Sequence, residues 1–179
     1  MSRIGKKPIP VPAGVEVKID DHRITVKGPK GSLEYEHNPD LSVTLNDNVL
    51  TVTRASDERR HRALHGLTRS LLANMVTGVS DGYQKTLDLV GVGYRVQQES
   101  EAIVLQIGYS HQITVQPLPG LSLVVEGNNR ILVQGIDKQV VGEMAAQIKK
   151  LRTPNVYTGK GIRYTGEQVR LKPGKSARR

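Results

Sequence analysis

A sequence of 179 residues suffices for one large domain or two small ones, and its 37% of apolar residues allows a modest core. No run approaches the roughly 18 consecutive apolar residues of a spanning helix, and no apolar segment follows the basic start MSRIGKKPIPVP. The sequence therefore predicts neither a membrane span nor a secretory signal. Cysteine is absent, which excludes disulfides and thiolate metal sites, and together these features lead us to expect a cytoplasmic protein.

The net charge of +9 is concentrated at one end of the chain. Ten of the 26 basic residues and one of the 17 acids, Glu167, lie between Lys149 and Arg179. The other 148 residues hold 16 basic and 16 acidic side chains, so their net charge is zero. A neutral body with one cationic end is typical of a protein that docks on a polyanion, although a disordered solubilising tail would have the same composition.

Phenylalanine and tryptophan are absent, and six tyrosines are the only aromatic residues. The core must therefore consist mainly of Val, Ile and Leu, a bias that favours strands. The shortage of aromatic residues also argues against a sheet of the RRM type, on whose face RNA bases stack.

The first half of the chain alternates apolar and polar residues, which predicts half-buried antiparallel strands separated by turns. These predicted strands are 15–19, 23–28, 32–37, 41–45 and 49–53. After Ser56 the apolar spacing changes to three or four, which predicts an amphipathic helix. Ser56 or Asp57 is expected to cap this helix and Gly78 to end it. Its apolar face is expected to be Leu64, Leu67, Leu71, Met75 and Val79.

The second half repeats this plan, with six predicted strands followed by one helix. The strands are 83–90, 93–98, 103–108, 112–117, 121–126 and 130–135, and the helix is 137–150. The apolar face of this second helix is expected to be Val141, Met144, Ala145, Ile148 and Leu151.

A constant offset of 80 residues relates the two halves. It joins Gly28 to Gly108, Pro39 to Pro119, Leu41 to Leu121, Ser42 to Ser122 and Asp57 to Asp137. An offset that persists through several turns into a helix start indicates an internal duplication. We therefore predict an α+β fold of two tandem duplicated domains, each an antiparallel β-sheet packed with one α-helix, plus a basic C-terminal tail. The expected boundaries are 1–81, 82–165 and 166–179.

Two histidines raise the possibility of a metal site. His61 and His65 are four residues apart on the predicted helix, as in a zinc-binding pair. The HExxH motif is not met, because HRALH has Arg62 in place of the glutamate. We therefore expect no metal and no cofactor, and we place both histidines on the helix surface, where they would donate to phosphate if RNA were bound.

Two glycine-rich stretches, GVGYR at 91–95 and TGKGIR at 158–163, have some features of nucleotide-binding loops. A Walker loop needs GxxxxGKS or GxxxxGKT between a strand and a helix, whereas here Gly161 follows Lys160 and the loop comes after a helix. In GVGYR, which lies inside a strand pattern, glycines more often mark a bulge or a close backbone approach. No GxSxG nucleophile elbow is present, and Glu167 is the only acid in the cationic segment, so we expect no enzyme.

The stretch NVYTGKGIRY at 155–164 fits a glycine-rich loop that binds nucleic acid. Glycines would bring the backbone close to a phosphate chain, Lys160 and Arg163 would neutralise phosphates, and counterion release would stabilise the complex. Tyr157 and Tyr164 would stack on bases or bond to ribose. A DNA-binding module and a small enzyme for an acidic substrate are the alternatives. The first alternative is distinguished by comparing the affinity for duplex DNA with that for structured RNA. The second requires a cleft that contains acids or histidines with perturbed pKa values.

The candidate nucleic-acid-binding residues form two sets. The first set is Lys149, Lys150, Arg152, Tyr157, Gly159, Lys160, Gly161, Arg163, Tyr164, Arg170, Lys172, Lys175, Arg178 and Arg179. The second set, on the first helix, could touch RNA or a neighbouring protein and comprises Arg59, Arg62, His65 and Arg69. The tail after Gly166 is expected to be disordered alone and ordered on RNA.

Four stretches together resemble the L6 family of bacterial large-subunit ribosomal proteins. They are MSRIGKKPIPVPAGVEV, RALHGLTRSLLANMVTGVSDGY, LDLVGVGYRV and YTGKGIRYTGEQVRLKPGKSARR. The resemblance covers essentially the whole chain. It matches Tyr157, Lys160, Gly161 and Arg163 to the signature loop of the family, and Lys172, Lys175, Arg178 and Arg179 to its basic tail.

This resemblance implies a two-domain protein made by duplication, which binds 23S rRNA chiefly through its C-terminal domain and tail. It implies a place near the base of the acidic-protein stalk, close to the sarcin–ricin loop where elongation factors dock. The partners implied are 23S rRNA, neighbouring large-subunit ribosomal proteins and translation elongation factors, with no membrane. The resemblance implies no enzymatic activity and no cofactor.

Overall fold

Alternating apolar residues form short strands in both halves of the chain, and one helix follows the strands of each half. The structure, a computed structural model, describes residues 4–174. The elements of the first half are β1 Ile9–Pro10, β2 Glu16–Asp20, β3 Arg23–Gly28, β4 Gly31–Glu36, β5 Leu41–Asn46, β6 Val49–Arg54 and α1 Arg59–Ser80. Those of the second half are β7 Tyr83–Val90, β8 Arg95–Glu99, β9 Ala102–Gln106, β10 Ile113–Val115, β11 Leu121–Glu126, β12 Arg130–Gly135, α2 Lys138–Leu151 and β13 Gly161–Tyr164.

The chain divides into two units with the same strand arrangement. Unit 1 is the chain up to Tyr83 with Ile136–Lys138, and unit 2 is the remainder. Unit 1 has the sheets β1-β6-β5 and β2-β3-β4, and unit 2 has β13-β7-β12-β11 and β8-β9-β10. Each strand of unit 2 except β13 therefore occupies the place of a strand about 80 residues earlier. This topology confirms the predicted duplicated α+β fold with antiparallel sheets.

The interior of each unit confirms the predicted apolar face of α2 and corrects that of α1. Met75 and Val79 are buried as predicted, but Leu67 is 52% exposed and Leu64 and Leu71 are only half-buried. The buried face of α1 instead includes Leu72 and Val76, because it is rotated by about one residue and takes in polar His65 and Thr68. In unit 1, buried side chains of the strands pack with one face of α1 into a single core. In unit 2, the buried residues of α2 are Val141, Met144, Ala145 and Ile148, as the spacing predicts. Ile162 of β13 is also fully buried in unit 2. Neither helix in residues 4–174 is long and apolar enough to cross a membrane.

Strand β1 is absent from the sequence prediction because its two residues end in proline. Ile9 pairs with Leu50 and Pro10 with Val49, which makes β1 an edge strand. An edge position tolerates proline, whose missing N–H group would break a central ladder.

The ends of α1 differ from the prediction. Neither Ser56 nor Asp57 is the N-cap residue, which is Glu58 without a side-chain cap bond. The Asp57 carboxylate instead accepts from Arg54 Nε at 2.9 Å, and Ser56 Oγ lies 2.7 Å from a ring nitrogen of His61. The helix also continues past Gly78 to Ser80. A Cβ atom at Gly78 would collide with the carbonyl oxygen of Ile136, so close packing explains this glycine.

Two glycines provide a test of the packing. A Cβ atom at Gly28 would lie 2.7 Å from the carbonyl oxygen of Val79. A Cβ atom at Gly142 would have no atom within 4 Å among the residues that the structure describes. Gly28→Ala is expected to lower the free energy of unfolding by about 1–3 kcal/mol through overpacking. Gly142→Ala, inside α2, is expected to raise it by about 0.5–1 kcal/mol. Urea titrations measure both, and equal midpoints would contradict the packing described.

Candidate nucleic-acid interface

The stretch between α2 and β13 is a closed turn, called here the glycine loop, residues 153–160. Asn155 holds it together. Its side-chain oxygen accepts from the backbone N–H groups of Tyr157 at 2.8 Å and Thr158 at 3.2 Å. Its backbone N–H donates to the carbonyl of Lys160 at 2.9 Å, and its carbonyl accepts from the N–H of Gly159 at 2.8 Å. These bonds fix the backbone of the loop before any ligand binds.

The two glycines of GKG have structural roles. Gly159 has a φ of 71°, a left-handed conformation that favours glycine. Gly161 is buried, and a Cβ atom there would lie 2.6 Å from the Cα of Pro154. The expectation that Gly161 brings its backbone to a phosphate chain is therefore not supported, because this residue faces the protein. It begins β13, which pairs with β7, whereas the sequence predicts a loop that extends to residue 164.

Most predicted cations of the loop and the described tail point to solvent. Lys150, Lys160, Arg170 and Lys172 are all exposed, and the side chain of Tyr157 is 60% exposed. Lys175, Arg178 and Arg179 lie outside the described residues. Of the remaining predicted residues of this first set, Lys149, Arg152 and Tyr164 contact other side chains.

Lys149 is already paired with an acid. Its ammonium lies 2.6 Å and 2.7 Å from the two carboxylate oxygens of Glu167, and 4.6 Å from the ring centroid of Tyr164. Glu167 also accepts from the backbone N–H of Tyr164 at 3.0 Å. The hydrogen bond from Lys149 and that backbone bond hold the pKa of the Glu167 carboxyl below its ordinary value. Lys149 and Tyr164 therefore organise the start of the tail.

Arg152 contacts two tyrosines that are not among the predicted nucleic-acid-binding residues. Its Nε lies 3.4 Å from the hydroxyl of Tyr94, and its guanidinium carbon lies 4.7 Å from the ring centroid of Tyr109. Arg152, Tyr94 and Tyr109 line a cleft of about 440 Å³ together with Lys150 and Lys160. The sequence offers no signal for this association, because the tyrosines are more than 40 residues away from Arg152.

Arg163 lies at a second cleft, of about 550 Å³, which it lines with Asp88 and Glu167. The tail follows this cleft and returns to the glycine loop. The backbone N–H of Lys172 donates to the carbonyl of Val156 at 2.7 Å. The tail is therefore anchored at this point, which differs from the expected disorder after Gly166.

The second set of candidates, on α1, separates into exposed and engaged residues. Arg59 and Arg62 are exposed. Arg69 donates to the carbonyls of Lys7 at 3.1 Å and Pro8 at 3.3 Å. These two contacts anchor the N-terminal segment against the helix.

The histidines are not a surface pair, contrary to the prediction. His65 is 3% exposed, and its ring nitrogens lie 2.8 Å from the Val52 carbonyl and 2.9 Å from Arg54. It cannot donate to a phosphate from this position, because it faces the core of unit 1. His61 is half-buried and lies 3.4 Å from a carboxylate oxygen of Asp40. Residues 4–174 contain no group of three or more His, Cys, Asp or Glu side chains that could hold a metal.

An α+β scaffold whose exposed loop and tail carry cations is typical of a nucleic-acid-binding protein. The ribosomal protein L6 family model matches residues 11–82 and 90–165. The chain is 55% identical to the large ribosomal subunit protein uL6 of Caldicellulosiruptor saccharolyticus, over 99% of this chain and 98% of that protein. It is 57% identical to the protein of the same name from Geobacillus stearothermophilus, over 99% and 100%. The chain belongs to the ribosomal protein L6 family.

Family membership confirms three expectations. The first is the resemblance itself, which extends over nearly the whole chain. The second is that the protein is a structural constituent of the ribosome and not an enzyme. The third is its location on the ribosome, in the cytoplasm.

The contact between Glu167 and Lys149 predicts a pH dependence. Because the pKa of Glu167 is lower in the folded protein, its stabilisation is present above the ordinary carboxyl pKa of roughly 4.3 and is lost as pH falls through the folded pKa. Glu167→Gln is therefore expected to lower the melting temperature at pH 7 and to have less effect at pH 3. Glu101→Gln, which removes an exposed acid of the same unit, is the control. A constant difference between wild type and Glu167→Gln across this range would contradict the assignment.

Proposed function

We propose that this protein binds 23S rRNA as a structural constituent of the large ribosomal subunit, near the stalk base and the region where elongation factors dock. Residues 82–165 would form the C-terminal domain with the RNA-binding loop, 166–179 the basic tail, and 1–81 the N-terminal domain. The proposal is supported by the curated relatives, which carry the name large ribosomal subunit protein uL6.

The observation that carries the proposal is the exposure of several cations on a fixed backbone. Lys150, Lys160 and Lys172 point to solvent from the end of α2, the glycine loop and the tail that returns to this loop. The one acid of this segment, Glu167, is occupied by Lys149, so it does not offset the exposed charges directly. Neutralising phosphates with such cations releases counterions and stabilises the complex.

The contacts are expected to fall mainly on phosphate and ribose. Lysine ammonium groups bind phosphate as point charges, and the amides of the glycine loop are used within the protein. Such contacts recognise the folded shape of an RNA and carry little sequence information. On α1, Arg59 and Arg62 are exposed cations that are available to neighbouring ribosomal proteins or to elongation factors.

Replacement of Lys160 tests the proposal. Lys160→Ala is expected to weaken binding to a 23S rRNA transcript and to reduce the slope of log K against log salt concentration by about one unit. Lys18→Ala, which removes an exposed lysine from β2 of unit 1, is the matched control and is expected to leave the slope unchanged. Filter binding across a salt series measures both.

An unchanged slope for Lys160→Ala would exclude contact between this lysine and phosphate. A duplex DNA of equal length serves as the competitor, and equal affinity for DNA and rRNA would contradict recognition of RNA shape.

A further inference from the structure

Three flat groups of unit 2 lie in contact beside the glycine loop, and phosphate binding does not account for them. The rings of Tyr109 and His111 are nearly parallel, with an angle of 15° and a centroid distance of 5.8 Å. The guanidinium of Arg152 lies 4.7 Å from the centroid of the same tyrosine. We call these three residues the Tyr109 stack. Tyr109 and His111 are both exposed, although the large apolar area of an aromatic ring normally favours its burial.

The Tyr109 stack is held in place by the surrounding protein. The hydroxyl of Tyr109 donates to the carbonyl of Leu151, the last residue of α2, at 3.1 Å. Arg152 is oriented by the hydroxyl of Tyr94 at 3.4 Å. The ring of Tyr94 fits against two glycines: Cβ atoms at Gly91 and Gly108 would lie 3.0 Å and 3.1 Å from it. This close approach explains the first glycine of GVGYR, Gly91, and it orients the stack before any ligand binds.

The Tyr109 stack adjoins the cationic cleft. Tyr109 and Arg152 line the cleft of about 440 Å³ together with Lys150 and Lys160, and none of the acidic residues within 4–174 lines it. A cleft of this size lies in the range of small-ligand sites. Flat π-systems next to several cations are the elements with which proteins bind unpaired nucleotides, because the base stacks while its phosphate is neutralised.

We propose that the Tyr109 stack is a nucleobase-binding subsite. An unpaired base of a structured RNA stacks on the exposed rings of His111 and Tyr109, and the adjoining phosphate contacts Lys150 and Lys160. The subsite rests on the proposed rRNA binding and goes beyond it, since it adds a contact to a base where the loop provides contacts to phosphate. It selects an unpaired nucleotide, because a base within a continuous duplex stack has no free face.

Replacement of His111 tests the subsite with little risk to folding, since this residue is exposed. His111→Ala is expected to lower affinity for a 23S rRNA transcript about 5- to 150-fold, the usual effect of losing one stacked base. The salt slope is expected to change less than in Lys160→Ala, because stacking of a base releases no counterions. His111→Tyr is expected to restore affinity. His22→Ala, which removes an exposed histidine of unit 1, is the matched control.

Ultraviolet cross-linking of the wild-type complex, followed by mass spectrometry, supplies a readout that is independent of affinity. Nucleotide adducts are expected on Tyr109 or His111. Wild-type binding with neither adducts at these residues nor an affinity loss in His111→Ala would overturn the subsite and leave the proposed function intact. Failure of the wild-type protein to bind the transcript would overturn both proposals. A reduced salt slope, as expected for Lys160→Ala, marks the loss of a phosphate contact and distinguishes it from the loss of stacking.

Discussion

The antiparallel pairing of β13 with β7 is the constraint on which the candidate interface depends. The fully buried side chain of Ile162 fixes β13 in unit 2, and Gly161 allows the strand to begin against the backbone of Pro154. The chain must therefore reverse direction between the end of α2 and this strand, which produces the glycine loop. After Tyr164 it turns again, and the tail returns to the loop through Lys172. One short strand thus anchors both segments that carry the exposed cations.

Anchoring changes what the excess charge can do. A free cationic tail binds polyanions but loses conformational entropy when it becomes ordered, whereas a fixed loop has already lost most of this freedom in folding. Glu167 helps to fix the start of the tail through its ion pair with Lys149, and this pair leaves one lysine fewer for binding phosphate. Arg152 contributes in another way, because its contacts with Tyr94 and Tyr109 join the loop region to the connections between β7 and β8 and between β9 and β10. The charges and the flat rings thereby acquire defined positions relative to each other.

Periodic signals predicted most of the fold, and their absence explains what was missed. The strands with alternating residues and the two amphipathic helices were found because burial on one face requires a repeat of two or of three to four residues. Strands β1 and β13 were missed because each is short and contains or adjoins proline or glycine. His65 was misplaced because the buried stripe of α1 begins with two polar residues, His65 and Thr68, which an apolar pattern does not mark. Its burial depends on partners at Val52 and Arg54.

By itself, the sequence determined the order of most elements, the duplicated α+β fold and the location of the excess charge. These are properties of local periodicity, internal repetition and residue counts, which are read without knowing how the chain folds back on itself. The family followed from the resemblance of four sequence stretches. Only the tertiary structure decided which cations are free and which are engaged. The partners of Arg152 and Tyr109 lie 58 and 42 residues away in the chain, at Tyr94 and Leu151. Such contacts arise because packing of the sheet and α2 brings distant segments together, and no local pattern encodes that approach.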